Sequence, residues 1–270
     1  MFNAKLSEGI LLKKLIESIK DLVSDINLDI TGTGISLQAM DSSHVALVTM
    51  NLSSDGFEEY RCDKNSLTLG ISIANLSKIM KCGGNEDSIT LSAEDDPSSL
   101  NIRFQNLSKK IFIYNFIELK KESEFKLSLI TIDSEHLGIP ETQYSAMVTM
   151  SSSEFTRICR ELYSLNETVN IETSKDLIKF SVNSENVGGS ITIEKNDSNN
   201  LEENCTIQVE ENVNLAFALR YLNMFTKASS LSQQVSLYLS VEFPLMVEYK
   251  IDNLGVLRFY LAPRIPEENK

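Results

Sequence analysis

The chain runs through one order of elements twice, and that repetition limits its fold more than any single motif does. A first helix pattern begins near Gly9 and carries an apolar stripe of Ile10, Leu11, Leu15, Ile16, Ile19, Leu22 and Val23. These positions recur at three- and four-residue spacing, and Lys13, Lys14, Glu17, Lys20 and Asp21 fill the polar side. Strand patterns follow at Leu28–Thr31, Gly34–Gln38, Val45–Leu52, Glu59–Cys62 and Leu67–Ile71. A short helix pattern, Ala74–Cys82, then stops at Gly83-Gly84, before strands Ser88–Ala93 and Leu100–Phe104.

The second half repeats the order. A helix over Ser153–Leu165 turns Phe155, Ile158, Cys159 and Leu162 to one side. Strands are expected at Val169–Glu172, Ile178–Val182, Gly189–Glu194 and Cys205–Val209, followed by a helix at Leu215–Thr226. The strands Gln234–Val241, Leu245–Ile251 and Val256–Leu261 close the series. Two helices and many antiparallel strands per half predict an α+β fold rather than βαβ repetition. The predicted division is an N-terminal domain 1–130, a linker Thr131–Tyr144 and a C-terminal domain 145–270. The linker contains Leu137-Gly138-Ile139-Pro140, which reads as extended chain. Asn196–Asn204 reads as a polar surface loop. The run Ile111–Leu119, apolar between Lys109-Lys110 and Lys120-Lys121, reads as a strand that would aggregate as a bare edge.

Charge is segregated along this pattern. The formal net charge is −13, yet the four helical segments Gly9–Val23, Ala74–Cys82, Ser153–Leu165 and Leu215–Leu231 carry nine Lys or Arg against four acids. They therefore sum to +5, leaving −18 for the rest. Lysine on the polar face of one helix is ordinarily just solvated. Four such helices in an acidic chain suggest a surface that attracts a polyanion while the remainder repels it. No exposed aromatics interleave the cations, so the expected contact is with phosphates rather than bases.

Catalytic chemistry finds little support. The two histidines, His44 and His136, accompany no nucleophile motif, and there is no GxSxG, HExxH or P-loop. Gly32-Thr33-Gly34 lacks the third glycine of a dinucleotide fingerprint, and Glu94-Asp95-Asp96 reads as solvated turn charge. Cys62, Cys82, Cys159 and Cys205 have no metal-pair spacing and read as free thiols. No apolar run is long enough to span a bilayer, and charges from Glu8 to Glu17 interrupt any signal-peptide core. No metal or cofactor, no enzymatic activity and no membrane partner are expected.

The segment Met40-Asp41-Ser42-Ser43-His44-Val45-Ala46-Leu47-Val48 closely resembles the sliding clamps of the PCNA family. Arg61-Cys62-Asp63, Ser77-Lys78-Ile79-Met80-Lys81-Cys82, Asn85-Glu86-Asp87 and Arg157-Ile158-Cys159-Arg160 agree with it. So do Ala218-Leu219-Arg220-Tyr221-Leu222-Asn223, Phe225-Thr226-Lys227-Ala228, Val247-Glu248-Tyr249-Lys250-Ile251 and Tyr260-Leu261-Ala262-Pro263. These motifs fall in order across nearly the whole chain. The resemblance implies a DNA-clamp fold of two similar domains, with three subunits closing head to tail into a ring around duplex DNA. Helices would line the hole, and the implied DNA-facing cations are Lys13, Lys14, Lys20, Lys78, Lys81, Arg157, Arg160, Arg220 and Lys227.

The same resemblance implies a nuclear homotrimer that acts as a processivity factor in DNA replication and repair. It would recruit a replicative polymerase, a clamp loader, a flap nuclease and a ligase through short peptides. The implied peptide pocket is formed by Met40, His44, Val45, Leu47, Leu137, Ile139, Pro140, Pro244, Tyr260, Ala262 and Pro263. Met and Leu supply an adaptable apolar floor there, and carbonyls near His44 and Ala262 are placed to accept from a partner glutamine. The alternative within the fold is a subunit of a checkpoint-type heterotrimeric clamp. The chain departs from the family pattern between Phe104 and Leu137, where it is longer. Either Ile111–Leu119 or Glu124–Ile130 is then the strand that meets the next subunit. The tail Arg264–Lys270 keeps acidic residues but carries Pro266, and Lys175 matches the family's modifiable lysine.

Overall fold

The computed structural model describes residues 1–112, 115–133, 137–138 and 143–264, with side chains described outside 107–120. Contacts divide the chain into two compact units. The first comprises Met1–Ala39, Met50–Glu135 and Asp252–Gly255, and the second comprises Met40–Thr49, His136–Ile251 and Val256–Lys270.

In the first unit, strand β1 (Phe2–Leu6) leads into helix α1 (Gly9–Ile19). Next come β2 (Asp25–Thr31) and β3 (Gly34–Met40), then β4 (Ala46–Ser53), whose latter half lies in this unit. β5 (Glu59–Cys62) and β6 (Leu67–Ser72) precede helix α2 (Ile73–Met80), and β7 (Ser88–Ala93), β8 (Ser99–Phe112) and β9 (Asn115–Ser128) follow. One sheet has the order β5–β1–β7–β8–β9, and β6–β2–β3–β4 form a second run. Strand β1 escapes the sequence pattern because it is only five residues long, although it alternates buried and half-buried residues cleanly. Helix α1 is shorter than expected. It ends at Ile19, and Leu22 and Val23 pack into the core from the turn beyond it.

The helix start depends on glycine. The Gly9 N–H donates to the Asp87 carbonyl at 3.1 Å, and a Cβ on Gly9 would stand 2.4 Å from that oxygen. Leu15, Ile16 and Ile19 of α1 and Ile73, Leu76 and Met80 of α2 face inward, and the two helices pack on each other. Phe2, Ile102 and Phe104 complete this core.

The stretch Ile111–Leu119, read as one strand, is divided between β8 and β9. These strands pair antiparallel along their length, from Ser99 opposite Ser128 to Phe112 opposite Asn115. The strand continuing past Lys121 is therefore the same β9. Beyond it, the Ile130 N–H donates to the Gly70 carbonyl at 3.0 Å, and a Cβ on Gly70 would stand 2.0 Å from the Ile130 oxygen. The described residues within Thr131–Tyr144 carry no helix or strand.

In the second unit, β10 (Ala146–Ser151) leads into helix α3 (Ser152–Tyr163). The strands β11 (Thr168–Thr173), β12 (Leu177–Asn183), β13 (Gly188–Glu194), β14 (Thr206–Val209) and β15 (Val213–Ala218) follow. Helix α4 (Leu219–Phe225) runs into a 3-10 turn, Thr226–Ser230, and β16 (Gln234–Leu239), β17 (Leu245–Ile251) and β18 (Gly255–Leu261) complete the order. The strands β13–β12–β11–β15 form one sheet, and β14–β10–β16–β17–β18 are sequential neighbours in another. The expected helix from Leu215 begins only at Leu219. Residues Leu215–Ala218 belong to β15, which pairs antiparallel with β11 from Thr168 opposite Ala218 to Thr173 opposite Val213. Ladder pairing prevails over weak helical spacing there. Phe225 stacks on Phe259 at 4.6 Å, and Phe155, Ile158, Cys159 and Leu162 of α3 are buried.

Candidate nucleic-acid and peptide interfaces

The helical cations differ in how freely they face solvent. On α1, the Lys13 ammonium donates to the Gly83 and Gly84 carbonyls, the latter at 2.6 Å, just past the end of α2. Asp87 fixes the same turn by accepting the Gly84 N–H at 2.6 Å and an Asn106 amide hydrogen at 2.8 Å. Burial alone would raise the Asp87 carboxyl. The Asn106 and Gly84 donors, with Lys121 and Lys13 nearby, hold it below its usual value. Lys20 is paired with Glu17, which raises the lysine above its ordinary range. Lys14 is half-buried, whereas Lys78 and Lys81 on and just after α2 are exposed.

In the second unit, Arg157 of α3 is held on both sides. Its Nε donates to Glu154 at 2.9 Å and its Nη1 to Glu161 at 2.8 Å, and these hydrogen bonds raise its pKa. Arg160 and Lys227 are exposed. Arg220 of α4 lies over the Tyr221 ring with its guanidinium carbon 4.6 Å from the centroid, and Nη2 donates to the Tyr221 hydroxyl at 2.9 Å. The other expected single site, Lys175, is exposed in the turn between β11 and β12.

A pocket of about 340 Å³ opens in the second unit. Of the expected pocket residues, Met40, His44, Val45, Leu47, Leu137, Pro244, Tyr260 and Ala262 line it together. Pro263 instead lines an adjacent recess, and Ile139 and Pro140 lie outside the described residues, as does His136. Ala46, Gly138, Tyr144 and Phe243 also line the pocket and were missed. Tyr144 sits 6.1 Å from Phe243 and 5.6 Å from Tyr238, so an aromatic group closes one side. Two cues lay in the sequence: Tyr144 ends the expected linker, and Phe243 immediately precedes Pro244.

One buried carboxylate shapes the pocket loop. Asp41 accepts the backbone N–H groups of Ser43 at 3.0 Å, Val45 at 2.8 Å and Ala46 at 2.7 Å. It also accepts the Tyr221 hydroxyl at 2.8 Å. Burial would raise this carboxyl, but the Ala46 N–H, the Tyr221 hydroxyl and the Ser43 and Val45 donors together hold it below its usual value. The tight loop places His44 at φ 57, a left-handed conformation that costs a non-glycine residue about 1 kcal/mol or more. The His44 side chain is exposed and lines the pocket. The Ala262 N–H donates to the Val45 carbonyl at 3.1 Å, tying the loop to the segment after β18 and occupying one of the carbonyls near the pocket.

Among the described residues, no group of three or more His, Cys, Asp or Glu is arranged to hold a metal ion. No described helix is long and apolar enough to cross a membrane. Cys159 is buried, which pushes its thiol far above the reactive range, and burial raises the Cys205 thiol to about 11.

Comparison with known families gives two adjoining matches. Residues 1–136 match the family described as proliferating cell nuclear antigen, N-terminal domain, and residues 138–264 match its C-terminal domain. The four described helices and antiparallel sheets agree with the α+β fold of that family.

Proposed function

The chain belongs to the proliferating cell nuclear antigen (PCNA) family of DNA sliding clamps, and we propose from it that three copies close into a ring around duplex DNA. In this reading the two clamp domains span 1–130 and 145–270, joined by 131–144, and the helices of all three subunits line the hole. The nine helical cations supply a net +5 per subunit, about +15 per ring, against an acidic exterior. Nothing in the arrangement reads bases, so the ring slides. The exposed Lys78, Lys81, Arg160 and Lys227, with the half-buried Lys14, are proposed to meet phosphates. Lys13, Lys20, Arg157 and Arg220 are proposed to add to the same positive surface.

The clamp acts as a non-enzymatic platform in the nucleus. It recruits polymerase, clamp loader, flap nuclease and ligase by peptide insertion. One observation carries the platform reading: eight residues from four separate segments line a single apolar pocket within one unit. An open, mainly apolar pocket with a few polar edges suits aliphatic and aromatic anchors. Subunit contact is proposed through free sheet edges. Strand β9 ends one sheet order and β13 ends another, and head-to-tail pairing of such edges closes a ring. Lys175 is proposed as a modification site on its exposed turn.

Replacing Lys78, Lys81 and Arg160 by Glu tests the DNA-facing assignment. Stimulation of a polymerase on primed circular DNA should be lost while the oligomeric mass stays that of the wild type. Full stimulation by the variant would move the DNA path away from these helices.

A further inference from the structure

The carboxylate that braces the pocket loop is tied to a side chain on the outside of the protein. Asp41 is buried, with 6% of its surface exposed, and it accepts the Tyr221 hydroxyl at 2.8 Å. Tyr221 is buried too, at 4%, and its hydroxyl oxygen accepts a hydrogen from Arg220 Nη2 at 2.9 Å. Arg220 itself is exposed, with its guanidinium carbon 4.6 Å from the centroid of the Tyr221 ring. One line of hydrogen bonds therefore starts at a solvent-facing cation and passes through a buried phenol. It ends on a buried carboxylate that takes the N–H groups of Ser43, Val45 and Ala46.

The direction of these bonds matters. A hydroxyl that accepts a hydrogen bond from a cation is polarised, and it donates its own hydrogen more strongly. Tyr221 is thus a better donor to Asp41 while Arg220 holds its oxygen. A firmly held Asp41 in turn fixes the loop that keeps His44 at φ 57, a conformation that needs support from its surroundings. His44 and Val45 of that loop line the peptide pocket. Arg220 and Tyr221 line the recess next to it, and both cavities share Val45 and Ala262 as wall. The start of α4 therefore backs onto the loop that shapes the pocket.

We infer that Arg220 is a positioning residue for the peptide pocket. It does not line the pocket, and it acts through the Tyr221 hydroxyl and the Asp41 carboxylate on the loop of His44 and Val45. The inference rests on the peptide-docking reading above. It leaves Arg220 among the proposed DNA-facing cations, so one side chain serves both surfaces.

The test uses the full-length protein without DNA and one fluorescent peptide of zero net charge. The peptide carries a glutamine, an aliphatic anchor and two aromatic anchors, and its neutrality removes direct attraction to the arginine. Fluorescence polarisation should show Arg220→Gln and Tyr221→Phe each weakening binding about two- to tenfold, the lower part of the range for coupled neighbours. The double variant should bind no more weakly than Tyr221→Phe alone, because the arginine acts only through that hydroxyl. Hydrogen exchange read by mass spectrometry should quicken over residues 41–47 in both single variants and stay unchanged over α1. Failure of the peptide to bind wild-type protein sinks the pocket reading itself. If the wild type binds, full affinity in Arg220→Gln overturns the positioning role alone. Losses that multiply in the double variant, or unchanged exchange over residues 41–47, overturn it as well.

Discussion

At the scale of single residues, Asp41 braces the loop of the proposed peptide pocket through four accepted hydrogen bonds. Its carboxylate takes three backbone N–H groups and the Tyr221 hydroxyl, so replacing it strands buried donors. Asp41→Ala should cost about 2–3 kcal/mol of unfolding free energy by chemical denaturation, in line with a buried charge-assisted network. It should also weaken peptide binding, because the strained His44 loop loses its brace. The pH dependence has a definite sign. Asp41 and Asp87 both titrate below their ordinary values when folded, so their stabilisation is complete above the unfolded carboxylate pKa, about 4. It is lost as pH falls through the lower folded values. Thermal melts from pH 6 to 3 should therefore show a steepening loss below about pH 4, and Asp41→Asn should flatten part of that slope. Sequence alone placed Asp41 in a family motif without giving it a role. The partners that define the role, Tyr221 above all, lie far away in the chain, and no local pattern encodes a contact across 180 positions. Among the pocket residues, Tyr260 is largely buried and joins pocket to core, so Tyr260→Ala should weaken anchor-peptide affinity by about 1–3 kcal/mol in calorimetric titration.

At the scale of elements, the four helices were legible because their apolar stripes are strong. Their ends were not. The expected helix from Leu215 loses four residues to β15, since Leu215, Ala216 and Phe217 find ladder partners on β11. The strands β1 and β10 were missed because each is short and lies against a helix start, where the two periods blur. The long β8–β9 pairing hid for another reason, because one apolar run is shared between the two strands. Charge pairing along the helices was also beyond sequence reach. Arg157 is bracketed by Glu154 and Glu161, whereas Arg160, one turn on, is exposed and lacks an ion-pair partner among the described residues. Arg157→Ala should therefore reduce DNA retention less than Arg160→Ala. The salt dependence of retention should fall by roughly one counterion for each phosphate no longer engaged, and only Arg160→Ala should show that fall.

At the scale of the whole molecule, the proposed ring is what would give the charge separation a function. One subunit with +5 on its helices and −18 elsewhere would repel DNA from most directions. In the proposed ring, three subunits turning those helices toward a common hole would leave a single attractive path, through the centre. The doubled order of elements was plain in the sequence, and it is what makes a ring of repeating domains reasonable. Closure was not legible, because it depends on which edges pair between copies, and a single chain does not encode that in any local pattern. The central claim is the closed homotrimer, and sedimentation equilibrium of the pure protein at micromolar concentration tests it most directly. Each chain weighs 30.3 kDa, so the expected species is three times that, about 91 kDa, unchanged on tenfold dilution. A single species at the monomer mass across that range would contradict the account.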